Sequence, residues 1–111
     1  MFNSKNMFGL PERGDKLGLK TTEKTDPYRL FNSDVFVHNT FEPEGLYGAI
    51  PYLTGHSKKF DASVVWMNSA ETWVDIFKWN HNAQEMRLTD FLSESGKMEF
   101  FLLASAAGNP A

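Results

Sequence analysis

The stretch Ala62-Ser-Val-Val-Trp-Met-Asn-Ser-Ala-Glu-Thr-Trp-Val-Asp-Ile-Phe-Lys78 holds two apolar runs of strand length. In the first, Val64 and Trp66 alternate with Val65 and Met67, so both faces are apolar. That is the pattern of a strand covered on both sides. The second run, Glu71 to Lys78, is ambiguous by spacing alone. Trp73, Ile76 and Phe77 stand at helical i, i+3, i+4 intervals, whereas Thr72, Val74 and Ile76 alternate and are β-branched. The run is short and β-branched residues lose rotamer freedom in a helix, so it reads as a strand.

Outward from this centre the chain repeats the theme of short runs between turn signals. Turns are marked by Gly9-Leu-Pro11, Arg13-Gly14-Asp15, Thr25-Asp26-Pro27, Phe31-Asn-Ser-Asp34, Glu42-Pro-Glu-Gly45, Thr54-Gly55, Asn80-His-Asn82 and Ser93-Glu-Ser-Gly96. Leu46 to Leu53 reads as a strand, and Pro51, which has no N–H, confines it to an edge or a bulge. Met98 to Leu103 reads as a buried strand. Between them, Asn82-Ala-Gln-Glu85 fits a helix start closed by Gly96, and Thr89 to Leu92 fits a strand turning back through Ser93–Gly96. Periodicity leaves both open. The sum is an all-β, antiparallel sandwich. Residues 1–45 supply few strands to pair with the later ones, which implies that part of the sheet lies outside the chain.

The 111 residues suit one domain, and 41% hydrophobic with 23% charged residues argues against disorder. Lys+Arg 11 against Asp+Glu 14 gives a net charge of −3, a poor match to a phosphate backbone, so no nucleic-acid partner is expected. No window approaches the roughly 18 apolar residues that span a bilayer. The absence of cysteine excludes disulfides, thiolate metal sites and cysteine nucleophiles. Residues 1–12 hold no apolar core of a signal peptide, and the last residues carry no retention or lipidation signal.

Chemistry-bearing motifs are sparse. His38, His56 and His81 are scattered without metal-ligand spacing, so neither a metal nor a cofactor is expected. There is no nucleophile elbow, P-loop or dinucleotide fingerprint. Paired carboxylates would serve a glycosidic bond, but 14 acidic residues offer many pairs and spacing selects none. Asp75 alternates with Trp73 and Phe77, which makes it a half-buried carboxylate in need of a hydrogen-bond partner. Trp66 and Trp73 sit inside apolar runs and read as core. Trp79, beside Asn80, reads as exposed.

Five blocks, in order, resemble glycoside hydrolase family 31, above all its endoplasmic-reticulum α-glucosidases. They are Phe8-Gly-Leu-Pro-Glu-Arg-Gly-Asp15, Pro27-Tyr-Arg-Leu-Phe-Asn-Ser-Asp34, Leu46-Tyr-Gly-Ala-Ile-Pro-Tyr52, Trp66-Met-Asn-Ser-Ala-Glu-Thr-Trp-Val-Asp75, and Ser93-Glu-Ser-Gly96 before a Phe/Leu strand. The resemblance implies that residues 1–111 are a partial, galactose mutarotase-like N-terminal β-sandwich, cut from an enzyme whose (β/α)8 barrel is absent. It implies a hairpin around Ser93–Gly96. The family's nucleophile and acid/base aspartates lie in the barrel, so no catalytic residue is expected here and the chain alone is expected to be inactive. One role falls inside the chain: a sandwich loop carries an aspartate to sugar hydroxyls, and the Asn32-Ser33-Asp34 turn matches it, making Asp34 the substrate-binding candidate. Tyr28 and Arg29 would support that loop. The implied substrate is an α-glucoside or N-glycan, the implied partners are the barrel and a regulatory beta subunit, and the implied location is the endoplasmic reticulum lumen. Where the resembling chains commonly have His-Ala, this one has Arg13-Gly14, which puts that loop's contacts in question.

Two other classes compete on the residues alone: a free-standing carbohydrate-binding or interaction module, and a structural β-domain without ligand. The five collinear blocks favour the glucosidase domain over both. An isolated sandwich with unpaired edges and a barrel-facing apolar surface is expected to be marginally stable.

Overall fold

The computed structural model describes residues 4–67 and 71–106, apart from the side chain of Met67. Asn68, Ser69 and Ala70, inside the Trp66–Asp75 block, lie outside the described residues, as do residues 1–3 and 107–111. The described residues form seven strands: β1 (Asn6–Gly9), β2 (Tyr28–Leu30), β3 (Tyr52–His56), β4 (Phe60–Met67), β5 (Thr72–His81), β6 (Gln84–Ser93) and β7 (Glu99–Ala106). They make two antiparallel sheets, one in the order β1-β3-β4-β7 and one in the order β2-β5-β6. There is no helix among the described residues.

The two sheets meet through one apolar cluster. Met7, Leu53 and Val64 come from the four-stranded sheet, and Tyr28, Leu30, Val74 and Ile76 from the three-stranded one. Leu10, in the turn after β1, completes it and is fully buried. Alternation explains the membership. Val74 and Ile76 are buried while Trp73, Asp75 and Phe77 between them are half-buried on the opposite face. The all-β sandwich and the strands expected at 62–67 and 71–78 are therefore present.

Four expectations are corrected. The first concerns Ser93–Gly96, which is not a hairpin: β6 pairs with β5 along its whole length, and β7 pairs with β4. The turn instead carries the chain from one sheet to the other. The hairpin lies one strand earlier, at Asn82-Ala83, and it also removes the alternative of a helix starting at Asn82. The second concerns Leu46–Leu53, of which only Tyr52 and Leu53 enter a strand. The preceding residues still pair, as an irregular ribbon: Leu10 N–H donates to Tyr52 O (2.7 Å), Ile50 N–H to Pro11 O (2.9 Å) and Glu12 N–H to Gly48 O (2.8 Å). Pro11 and Pro51 have no N–H, so a regular ladder cannot form there. Third, Thr54-Gly55 is no turn. Gly55 is buried mid-sheet between Met7 and Ala62. Fourth, the strand expected to be buried at Met98–Leu103 is present but exposed along the outer edge of its sheet.

The β5–β6 turn is strained. Asn82 (φ 48°) and Ala83 (φ 61°) both lie in the left-handed region, as a two-residue hairpin whose last pair is His81–Gln84 requires. Asn tolerates this conformation, but an alanine there costs about 1 kcal/mol or more. Ala83→Gly is expected to stabilise the chain by about 0.5–1 kcal/mol, seen as a higher urea midpoint at unchanged slope. A lower midpoint would contradict the turn geometry.

Candidate functional site

β2 ends at Leu30, and the chain runs into the loop that carries Asp34. Among the described residues that loop is held from behind by a second segment, residues 45–48. Ser33 N–H donates to Leu46 O (3.1 Å), the Asn32 side-chain amide donates to Tyr47 O (2.8 Å), and the Tyr47 hydroxyl donates to Val35 O (2.9 Å). Residues 45–48 are tied in turn to the ribbon after β1. Leu46 N–H donates to Glu12 O (2.9 Å), Gly48 N–H to the Glu12 carboxylate (3.0 Å), and Arg13 bridges to Gly45. Gly45 passes so close to β2 that a Cβ there would stand 2.8 Å from Arg29 O, which is why this position carries no side chain.

Asp34 itself is exposed, and its carboxylate has no hydrogen bond or ion pair among the described residues. Residues 32, 33 and 35 around it are pinned, so the loop has a fixed backbone with one acidic side chain left outward. Beside the loop opens a cleft of about 310 Å³, lined by Asp26, Arg29, Phe31, Ser33 and Glu44 among others. Two of these residues pack on Trp73. The Arg29 guanidinium lies 4.9 Å from the Trp73 ring centroid, and Phe31 meets the same ring edge-on at 5.2 Å. Arg29 also pairs with Asp26 at 2.8 Å. Tyr28 is buried, and its hydroxyl accepts Lys20 N–H (2.8 Å).

Arg13 is the residue that sequence reasoning undervalued. Its Nε donates to Leu10 O (2.5 Å) and its Nη1 to Pro43 O (2.7 Å), and its guanidinium lies 4.7 Å from the Tyr28 ring centroid. It thus joins the β1 exit, the segment before Gly45, and β2. Burial lowers its pKa, and the charges of Tyr28 and Asp15 oppose that shift. Nη2 is buried with no partner among the described residues. The only signal in the sequence was that Arg13-Gly14 departs from His-Ala. Asp15, close by, pairs with Lys20 at 2.8 Å, its carboxylate buried and the ammonium half exposed.

The remaining candidates resolve into structural roles. Trp66 is buried and stacks between Phe91 (5.5 Å) and Phe100 (6.3 Å). Trp73 is half-buried beneath Arg29, and Trp79 is exposed. Asp75 accepts a hydrogen bond from the Thr22 hydroxyl (2.6 Å), the partner that its position demanded. His56 pairs with Asp61, while His38 and His81 are exposed. No group of three or more His, Cys, Asp or Glu converges among the described residues.

Asp15 sets an acid limit. Burial pushes its carboxyl up, but the hydrogen bonds from Lys20 and from Lys16 N–H and the charges of both lysines outweigh it, and the pKa falls below its ordinary value of 3.8. The folded state therefore prefers the carboxylate. That stabilisation is complete above the unfolded pKa and is lost as pH falls through the folded one. Asp15→Asn is expected to be less stable than the parent at about pH 7, with the gap closing below about pH 4 in urea melts. A gap independent of pH would refute the assignment.

Comparison with known proteins gives a consistent answer. The family described as the glycosyl hydrolase 31 N-terminal galactose mutarotase-like domain matches residues 1–75. Neutral alpha-glucosidase AB of Sus scrofa is 41% identical over 113 residues, covering 88% of this chain and 12% of that protein. Glucosidase 2 subunit alpha of Schizosaccharomyces pombe is 36% identical over 104 residues, covering 87% of this chain and 11% of that one. Among solved structures, the glucosidase II alpha subunit in its alpha3-Glc2-bound form superposes with a TM-score of 0.78 at 34% identity, covering 92% of this chain and 12% of that chain. The catalytic subunit in an ER glucosidase II heterodimeric complex with the binding domain of the regulatory subunit gives a TM-score of 0.77, also at 34% identity with the same shares covered. This chain thus spans about 12% of the length of such relatives. With the family match over residues 1–75 and this fold in common, the chain belongs to the glycosyl hydrolase 31 family through its N-terminal galactose mutarotase-like domain.

Proposed function

We propose that this chain is the substrate-loop domain of an α-glucosidase that removes terminal α-linked glucose, as in N-glycan trimming, and that it contributes binding but no bond chemistry. The observation that carries this reading is Asp34: an exposed carboxylate, unpartnered among the described residues, on a loop where Ser33 is hydrogen-bonded to Leu46 and Asn32 and Val35 to Tyr47. A carboxylate accepts hydrogen bonds through two oxygens, so one side chain can hold two sugar hydroxyls. Because the backbone around it is already tied down, little ordering cost remains when a sugar binds.

The cleavage itself belongs elsewhere on this reading. Retaining hydrolysis needs two carboxylates about 5–5.5 Å apart, one as nucleophile and one as acid/base. The sequence holds no W-x-D-M-N-type motif, and the exposed Asp34 has no carboxylate partner in contact. The pair is supplied by a (β/α)8 barrel against which the sandwich packs. The names of the relatives, neutral alpha-glucosidase and glucosidase II, support this substrate class, and the heterodimeric relative supports a regulatory beta subunit as partner. The same names support the endoplasmic reticulum lumen as the site of action.

In a complete family 31 enzyme carrying this domain, Asp34→Asn is expected to raise KM for an α-glucoside about tenfold, the worth of one charge-assisted hydrogen bond. Its melting temperature should not move, since the side chain makes no contact that stabilises the fold. Unchanged KM and turnover would exclude the role. Purified residues 1–111 should release no glucose from an α-glucoside; measurable turnover would overturn the assignment of the chemistry to a barrel.

A further inference from the structure

We infer that Tyr47 is a positioning residue for Asp34: it clamps the loop on both flanks of the carboxylate and so fixes where sugar hydroxyls can meet it. The inference rests on the reading of Asp34 as a substrate-binding group given above. Two hydrogen bonds that enclose Asp34 both end on Tyr47. On one side the Asn32 amide donates to Tyr47 O (2.8 Å), and on the other the Tyr47 hydroxyl donates to Val35 O (2.9 Å). Between them, Ser33 N–H donates to Leu46 O (3.1 Å), the residue just before the tyrosine.

The two flanks are held unequally. Before Asp34 the chain is fixed at Leu30 by β2 and again at Asn32 and Ser33. After it, the bond from the Tyr47 hydroxyl to Val35 is followed by residues 36–38, which make no hydrogen bond among the described residues. The direction of a side chain follows the backbone of its own residue, and that backbone is set only when both neighbours are held. Without the hydroxyl, Asp34 is held from its N-terminal side alone. A binding group held from both sides loses less freedom when its ligand arrives, which is what a supporting residue contributes to affinity.

Tyr47 can act as a clamp because it is itself braced. Leu46 N–H donates to Glu12 O (2.9 Å) and Gly48 N–H to the Glu12 carboxylate (3.0 Å), so the residues on either side of the tyrosine rest on one glutamate. Glu12 N–H returns a bond to Gly48 O (2.8 Å). The chain has three tyrosines, and their hydroxyls are used differently. That of Tyr28 meets Lys20 N–H beside the core, and that of Tyr52 meets the Ser63 hydroxyl (3.2 Å) across β3 and β4. Only the Tyr47 hydroxyl reaches the Asp34 loop. The Tyr47 side chain lies outside the apolar cluster between the sheets. Phenylalanine at this position therefore keeps the ring and removes one donor, which separates the clamp from the fold.

The test is a double-mutant cycle in a complete family 31 enzyme carrying this domain, with KM and kcat measured on an α-glucoside for Tyr47→Phe, Asp34→Asn and the pair. Tyr47→Phe is expected to raise KM about threefold to fivefold, the worth of one neutral hydrogen bond, at unchanged kcat. Its effect is bounded by the about tenfold expected of Asp34→Asn, because a clamp contributes no more than the group it holds. In the double variant KM should equal that of Asp34→Asn alone, since no carboxylate remains to be positioned. A tyrosine that only stabilised the domain would lower the amount of active enzyme, and with it kcat, while KM stayed fixed. That outcome overturns the inference, as does a Tyr47→Phe effect that adds in full to that of Asp34→Asn. If Asp34→Asn raises KM and Tyr47→Phe does not, the clamp is refuted and the role of Asp34 stands. If Asp34→Asn changes nothing, the role of Asp34 is refuted and the clamp with it. Should Tyr47→Phe fail to fold, Asn32→Ala removes the other bond on Tyr47 and must show the same coupling to Asp34→Asn; independent effects overturn the inference.

Discussion

The arrangement of the loop region depends on one half-buried cation. Arg13 reaches the carbonyls of Leu10 and Pro43 and lies against the Tyr28 ring, so three segments far apart in sequence meet at one guanidinium. The need arises from the backbone. The ribbon between residues 10–13 and 45–52 contains Pro11 and Pro51, which donate no hydrogen bond, and the ladder beyond β1 and β3 is correspondingly irregular. Side chains take over from the ladder: Arg13 donates to backbone on both sides of the ribbon, and the Glu12 carboxylate accepts from Gly48 N–H. From there the ties pass to Leu46 and Tyr47, and from those to the loop around Asp34. The position of an exposed acidic side chain is thus set by a half-buried basic one twenty-one residues earlier, with no direct contact between them.

The two sheets are unequal in how they end. On β5, the short β2 satisfies residues 72–74, and the side chains of Thr22 and Glu23 satisfy Ile76 and Lys78 beyond it. Thr22 also binds Asp75, so one buried hydroxyl fixes both the edge and the half-buried carboxylate beside it. Among the described residues, no strand lies beyond β7. Its alternation is apolar on both faces, the composition of a strand meant to be covered on both sides, yet it stands outermost.

How much of this the sequence disclosed follows from the range of the interactions. β4 and β5 were legible because alternation is a local signal and their apolar residues dominate it. The hairpin was misplaced because its turn, Asn82-Ala83, lacks the glycine that usually announces a two-residue turn, whereas Ser93–Gly96 has one and makes a corner between sheets instead. Residues 46–50 look like a strand by composition and pair like one, but two prolines break the ladder. Gly55 resembles a turn residue, yet sits mid-sheet where two strands crowd it. In the loop region, Asp34 was singled out through family resemblance alone, since an aspartate in an Asn-Ser-Asp turn has a sufficient local explanation. The pins that hold its loop, Asn32 to Tyr47 and Arg13 to Pro43, connect residues 15 and 30 positions apart, and no spacing rule reaches that far.

These features divide the domain into a part that stores stability and a part that presents chemistry. Stability lies between the sheets, where Leu10, Leu53, Val74 and Ile76 are fully buried. The polar fixings lie outside that layer, on the irregular ribbon and the loops it braces. Side chains that brace are engaged: Arg13, Asn32, Tyr47 and Glu12 each bond backbone through at least one polar atom. Asp34 does not. On the proposed function, a domain with a braced scaffold and an unspent carboxylate at a pinned loop is suited to lend a binding group to a site whose bond-breaking residues are mounted elsewhere.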